Sequence, residues 1–216
     1  MIKGLIFDLD GTLINSIDDI HYSLNLALKA HGYKEKDLKT TKANIGNGFK
    51  RLIMDSLPEI NDENIIDEIN KTYTKFYSEH YHDKTYSYDG VYELLKELNK
   101  RNIKIAVNSN KKDEYTKNLM NIIFPDIKFV AVFGERKGIE TKPNPKSALE
   151  IIDMMKLDKD EVLYVGDSEI DIRTAKNAGL KSIGCLWGFR NKETLKNEGA
   201  DTTINKPEEL LKYLKN

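Results

Sequence analysis

Four of five short apolar runs in this chain end on, or lead quickly into, a charged or polar group. The runs cover residues 2–8, 103–107, 128–133, 162–165 and 181–186. Short apolar runs with little alternation read as strands buried on both faces of a sheet. Between the later runs the period changes to that of a helix. Leu94, Leu95 and Leu98 fall within 91–101, a second helix starts near Asp113, a third covers 144–155, and a fourth from Ile170 to Asn177 is closed by Gly179. Strand–helix alternation of this kind makes right-handed crossovers and a parallel sheet. Such a sheet collects its ligand groups at the carboxyl ends of its strands.

Residues of about 16–82 behave differently. Ser16-Ile17-Asp18-Asp19 has the look of a helix start, and Ile20, Leu24, Ala27 and Leu28 follow at helical spacing, with Gly32 as a stop. Residues 47–57 and 61–81 also read as helices, the latter with Ile65, Ile69 and Tyr73 on one side, and no convincing strand occurs. The first run therefore has no sheet of its own and joins the later one. The expected fold is α/β: a Rossmann-like parallel-sheet core from residues 1–15 and 83–216, with an inserted all-helical domain at 16–82.

Composition removes several classes of function. Among 216 residues, 34 Lys+Arg stand against 35 Asp+Glu, a net charge of -1. That balance argues against a dedicated nucleic-acid binder. No apolar run approaches the roughly 20 residues of a membrane span. The N-terminal apolar stretch ends on Asp8 and lacks the longer apolar region of a signal peptide. Cys185 is the only cysteine, so there is no internal disulfide, and a reducing, cytoplasmic location is expected.

The polar groups at the strand ends carry the chemistry. Phe7-Asp8-Leu9-Asp10-Gly11-Thr12 places two carboxylates two residues apart, followed by a glycine that permits a tight turn. Two acids in one site repel, so one holds a proton while the other ionises, which suits a nucleophile beside a general acid. A bare Asp-x-Asp is otherwise ordinary turn chemistry. In Val107-Asn108-Ser109-Asn110-Lys111, the hydroxyl can donate to a phosphoryl oxygen or serve a turn. In Thr141-Lys142-Pro143-Asn144-Pro145, two prolines fix the backbone, so a cation suited to phosphate is presented in a set place. A solvated loop lysine is the plainer alternative. In Val165-Gly166-Asp167-Ser168-Glu169-Ile170-Asp171, acids four apart follow an apolar strand. They read either as helix caps or as carboxylates for a hard cation such as Mg2+.

The order of these motifs resembles that of the haloacid dehalogenase-like hydrolases, and the resemblance covers essentially the whole chain. The inserted helices are similar to that family's helical cap. Within the family the chain is most similar to the phosphoglycolate phosphatases, through Ile45-Gly46-Asn47-Gly48 in the cap and Trp187-Gly188-Phe189-Arg190 after the last strand. The resemblance implies a Mg2+-dependent phosphatase of small phosphate esters that works through an aspartyl-phosphate. Asp8 is then the nucleophile, and Asp10 the general acid and base. Ser109 and Lys142 hold the phosphoryl oxygens. Asp8, Asp167 and the main-chain carbonyl of Asp10 form the metal site, with Asp171 orienting Lys142 or a metal water. Gly11 and Thr12, through their N–H groups, and Asn110 belong to the phosphate cradle. In the cap, Gly48, Lys50 and Arg51 are the candidates for reading an anionic leaving group. A monomer or weak homodimer is expected, with no nucleic-acid or membrane partner.

Other substrates of the same fold are a pyrophosphate, a nucleotide or FMN, or a sugar phosphate. A phosphoglucomutase or a non-catalytic regulatory protein fits less well, since Asp10-Gly11-Thr12 and all five core motif residues are present. The chain departs from the family pattern at Asn15, where Asp is frequent, at Asn108, where an apolar residue is usual, and at Tyr86-Ser87-Tyr88-Asp89-Gly90, which lacks the linker's proline. His80 and His82 are two apart on a helix end and face different ways. Tyr73, Tyr77 and Tyr81 read as packing residues of the cap helices.

Overall fold

A computed structural model describes residues 1–214. In chain order the elements are β1 (Gly4–Phe7), β2 (Ile14–Asn15), α1 (Ile17–Ala30), α2 (Leu38–Asn44), α3 (Phe49–Ser56), α4 (Glu63–His80), β3 (Tyr86–Ser87), α5 (Val91–Lys100) and β4 (Lys104–Lys112). There follow α6 (Asp113–Ile123), β5 (Ala131–Glu135), α7 (Lys146–Met155), β6 (Val162–Gly166), α8 (Glu169–Ala178), β7 (Lys181–Cys185), α9 (Lys192–Asn197) and β8 (Thr202–Ile204). Short 3-10 turns occupy Lys159–Glu161 and Pro207–Leu214. The chain forms two compact units, one from Met1–Ile14 with Ser87 onward, the other from Asn15–Tyr86. β2 and β3, at the two passages between the units, pair as a two-stranded ribbon.

The first unit is built on a six-stranded sheet of order β5-β4-β1-β6-β7-β8, with every recorded pairing parallel. β1 is fully buried and lies between β4 and β6. The chain thus proceeds to one side of β1 and later to the other. That reversal opens a crevice at the carboxyl end of the central strand. Ile6, Ala106, Tyr164, Ile151, Ile152 and Met155 form one apolar cluster joining the central strands to α7. Each such aliphatic side chain contributes about 1.5–3 kcal/mol on burial, which anchors the strands that carry the site. α8 starts with a reciprocal cap between Ser168 and Asp171 and stops at Gly179, whose φ of 74° favours glycine.

The second unit is helical. α1 buries Ile20, Leu24 and Leu28, α3 buries Leu52 and Ile53, and α4 buries Ile66, Ile69, Tyr73 and Tyr77. Phe49 meets Tyr73 and Tyr77 edge-on at centroid distances of 4.8 and 5.0 Å, so these aromatics are packing groups. His80 pairs with Asp83 at 2.8 Å, and His82 stacks on Tyr81.

Several local expectations change. Ser16 sits at the N-cap of α1 but its side chain makes no capping bond. Asp19, one turn on, is buried instead. It accepts from the Lys84 N–H at 3.0 Å and the Thr85 hydroxyl at 2.7 Å, tying the start of this unit to its end. β4 runs on past Val107 through the polar Asn108–Lys112, and β5 begins at Ala131. α2, α9 and β8 escaped the sequence reading because three to seven residues are too few to show a period.

Candidate active site

Asp8 is the first residue beyond β1. Its N–H donates to the Val165 carbonyl at 2.9 Å, so the ladder to β6 holds the backbone one residue past the strand. A tight turn follows. The Gly11 N–H donates to Ile14 O at 2.8 Å, and the Thr12 and Leu13 N–H groups to Leu9 O at 3.2 and 2.9 Å. The amides that the family resemblance assigns to phosphate at Gly11 and Thr12 are therefore engaged within the turn, and the Thr12 hydroxyl lies 3.4 Å from Asp167 Oδ1. Gly11 has a φ of 92°, and a Cβ there would lie 2.3 Å from Asp167 Oδ2. Only glycine permits that approach.

Ser109, Asn110 and Lys111 are all buried in the polar extension of β4. The Ser109 hydroxyl accepts from the Lys111 N–H at 3.1 Å. Asn110 clamps the backbone of Lys142 from both sides. Its carbonyl oxygen accepts from the Lys142 N–H at 2.7 Å, and its amide donates to Lys142 O at 3.0 Å. Asn110 thus bears on lysine placement, where the resemblance gave it to substrate. Asn108 earns its unusual polarity by donating to the buried Tyr164 hydroxyl at 3.2 Å.

Lys142 brings two distant acids together. Its ammonium lies 2.5 Å from Asp8 Oδ1 and 2.7 Å from Asp171 Oδ1. The other Asp171 oxygen accepts from the Ser168 N–H at 3.0 Å and the Ser168 hydroxyl at 2.6 Å. Both oxygens of Asp171 are thus occupied, which suits an orienting group. Asp167 is held differently: Oδ2 accepts from the Phe189 N–H at 2.7 Å. Trp187 donates from its indole to Thr12 O at 3.0 Å. A Cβ on Gly188 would lie 2.4 Å from both Asp167 Cβ and Gly11 O. The segment after β7 therefore straps the two acid-bearing loops together.

Asp8, Asp167 and Asp171 offer carboxylate oxygens that all lie within 4.8 Å of one another. Burial pushes the Asp8 carboxyl up to about 7, reinforced by the Asp171 charge and opposed by Lys142. Burial, with the Asp171 and Asp8 charges, raises Asp167 well above the usual carboxylate range. Lys142 is raised by Asp171 and Asp8 against its own burial, so it stays an ammonium. Three buried acids, two of them on one ammonium, form an all-oxygen, electron-rich cluster, the kind of donor set that a hard divalent cation takes. The fully buried Cys185 thiol is pushed up by burial and is no nucleophile.

Lys111 was not singled out in the sequence. Its ammonium lies 2.9 Å from Asp10 Oδ1. The signal was present: Ser109 and Lys111 are two apart in an extended strand, and so share a face. The predicted cap residues belong to the other unit. Gly48 precedes α3 with a φ of 84°, Lys50 pairs with Asp67 at 2.8 Å, and Arg51 pairs with Asp55 at 2.8 Å. Among the described residues no helix is long and apolar enough to cross a membrane.

Comparison with known proteins bears on the family and the fold. A family model described as haloacid dehalogenase-like hydrolase matches residues 5–185. Phosphoglycolate phosphatase from Aquifex aeolicus (strain VF5) is 30% identical over 218 residues, covering 99% of this chain and 97% of the relative. The protein of the same name from Vibrio parahaemolyticus is 30% identical over 219 residues, covering 99% and 96%. A crystal structure from Lactobacillus delbrueckii subsp. bulgaricus superimposes with a TM-score of 0.93 at 29% identity, covering 98% of each chain.

Proposed function

The chain belongs to the haloacid dehalogenase-like hydrolases and is a phosphatase; from that premise we propose that it hydrolyses phosphoglycolate through an aspartyl-phosphate on Asp8. The observation that carries the mechanism is the junction of Asp8, Lys142 and Asp171 at the end of the central strand. The substrate rests on the curated relatives named phosphoglycolate phosphatase.

In the first step an Asp8 oxygen attacks phosphorus. The bond from phosphorus to the ester oxygen breaks, and that oxygen takes a proton from the Asp10 carboxyl. In the second step water attacks the aspartyl-phosphate, gives its proton to Asp10, and releases inorganic phosphate and free Asp8. Ser109 and Lys142 hold the phosphoryl oxygens through both steps, where charge stabilisation is the main contribution. Asp171 keeps Lys142 aimed, and Asn110 fixes its backbone. Asp8, Asp167 and the Asp10 main-chain carbonyl would hold Mg2+, which when bound supplies compensation for the crowded carboxylate and phosphate charge. The Asp10 side chain sets this chain apart from halide-releasing members of the fold, because a halide leaves unprotonated and an alkoxide does not.

In the helical unit, Gly48, Lys50 and Arg51 are the candidates for the glycolate carboxylate. The carboxylate partners of Lys50 and Arg51 are half-exposed and hold them weakly enough to be exchanged. A cytoplasmic location fits the single buried cysteine.

The test is phosphate release with Mg2+ from phosphoglycolate, pyrophosphate, FMN, nucleoside monophosphates and sugar phosphates. A kcat/KM for phosphoglycolate well above the others is expected. A flat profile would withdraw the substrate while leaving the chemistry, and turnover undiminished in chelator would withdraw the metal.

A further inference from the structure

Each acid of Asp8-Leu9-Asp10 has its own buried lysine: Lys142 at 2.5 Å from Asp8, and Lys111 at 2.9 Å from Asp10. The two arrangements differ in kind. Lys142 sits among several carboxylates, whereas Lys111 faces Asp10. Asp10 stands on a turn and its side chain is 15% exposed, while that of Lys111 is 1% exposed. A buried ammonium is retained only where a partner compensates the loss of its hydration. Lys111 itself is rooted. Its N–H donates to the Ser109 hydroxyl at 3.1 Å, its carbonyl accepts from the buried Thr116 hydroxyl at 3.2 Å, and its neighbour Lys112 lies opposite Glu135 in the register of β4 with β5. The strand that carries Ser109 therefore also reaches across to the carboxylate on the turn after β1.

We propose that Lys111 is a positioning residue that holds the Asp10 carboxyl where the ester oxygen leaves, so that Asp10 can hand over its proton as the bond to phosphorus breaks. This rests on the assignment of Asp10 as general acid above. Lys111 does not touch the phosphoryl group; it sets the orientation of the group that protonates the departing oxygen. Losing this ion pair shifts the balance of contacts that orient the carboxylate, and a small misplacement of a reacting group is costly.

The consequence is a dependence on the leaving group that a merely structural lysine would not produce. The experiment compares wild type with Lys111→Ala on phosphoglycolate, ethyl phosphate and p-nitrophenyl phosphate, each with Mg2+. The readout is kcat/KM, which reports only events up to departure of the leaving group and is blind to the shared hydrolysis of the aspartyl-phosphate. Both alkyl phosphates need a proton at the departing oxygen; p-nitrophenolate leaves without one. The expected result is a loss of about 10²-fold on both alkyl esters, with p-nitrophenyl phosphate held within about fivefold. An equal loss on all three overturns the proposal in favour of general packing. A loss confined to phosphoglycolate overturns it in favour of a receptor for the substrate's carboxylate. Lys111→Met keeps the aliphatic stem without the charge and serves where the alanine variant does not fold; p-nitrophenyl phosphate turnover reports a folded site in either. Asp10→Asn must lose at least as much as the Lys111 variants on both alkyl esters. If it does not, the assignment of Asp10 falls; if it does and the Lys111 variants show no split, the present inference alone falls.

Discussion

The carboxyl end of the sheet and the inserted helical unit treat charge in opposite ways. At the sheet, Asp8, Asp167, Asp171, Lys111 and Lys142 are buried, and their partners come from segments far apart in the chain, Lys142 from Asp8 by 134 positions. In the helical unit, Lys50, Arg51 and their partners are mostly exposed, and the Arg51–Asp55 pair spans a single helical turn. Apart from Asp19, the buried polar side chains there are uncharged hydroxyls, Ser16, Ser23, Thr41 and Ser56. Exposed pairs of that kind are worth about 0–1 kcal/mol, whereas breaking a buried one costs about 3–5 kcal/mol. The contrast separates a region arranged for reaction, where charges are crowded against their own preference, from a region arranged for packing, where they are left in water.

The sharpest way to break this comparison is Asp8→Asn. Turnover should fall by roughly 10⁴-fold or more, with an unchanged circular-dichroism spectrum. Activity within about tenfold of wild type would put the nucleophile elsewhere and strip the crowded acids of their purpose.

Paired glycine substitutions sharpen it next. Gly188→Ala drives a methyl into Asp167 and Gly11 O, so kcat should drop by about 10²-fold and half-maximal activity should need more Mg2+. Gly32→Ala, in the helical unit, meets nothing within 4 Å and only carries the strain of a φ of 76°. It should lower stability by about 1 kcal/mol and leave kcat alone. Similar kinetic losses in the two variants would erase the distinction.

A third test uses pH. Burial raises Asp8 from 3.8 to about 7, and Asp167 also moves up. The folded protein therefore binds more protons than the unfolded one between those values, and stability falls as pH rises through that window. Lys142, raised above its ordinary value, stays charged throughout and adds no slope there. Metal-free protein should melt several degrees lower at pH 7.5 than at pH 5, and Mg2+ should restore the loss chiefly at the higher pH. A flat or rising melting temperature in chelator would contradict the crowding of the acids.

The smallest effect is expected from Lys50→Ala and Arg51→Ala. Each should change stability by no more than about 0.5 kcal/mol. If either residue reads the glycolate carboxylate, KM for phosphoglycolate rises while p-nitrophenyl phosphate is unaffected. An unchanged kcat/KM in both removes them from recognition.

The strands and most of their functional ends were legible because a buried parallel strand announces itself as an apolar run, and a polar residue at its end is conspicuous. Asp8, Ser109 and Asp167 stood out for that reason, and Lys142 because Pro143 and Pro145 follow it. Lys111 did not, because Asn108-Ser109-Asn110-Lys111-Lys112 has the composition of a solvated loop. It is buried only because Asp10, Lys142 and Tyr164 supply partners from elsewhere, and no local pattern records such partners. The strap at Trp187–Phe189 was visible as a motif, but its action on Asp167 runs through a backbone N–H, which every residue but proline possesses. The Ser16 cap failed for the converse reason: the local signal was good, and a bond from Asp19 to Lys84 and Thr85 supplied order that the short-range pattern could not show.

The central place of β1 also sets a timetable. Gly4 pairs with Lys104 on one side and with Val162 on the other, so both neighbours of β1 are made long after β1 itself. Until β6 has left the exit tunnel, one edge of β1 has no neighbour and Asp8 lacks Asp167 and Asp171. The helical unit, complete by Tyr86, has all its own residues available much earlier. A nascent chain of this protein therefore carries a short, apolar strand with at least one open edge until Val162 is made, and a message truncated before Val162 yields a product with no chemistry and an edge open to aggregation.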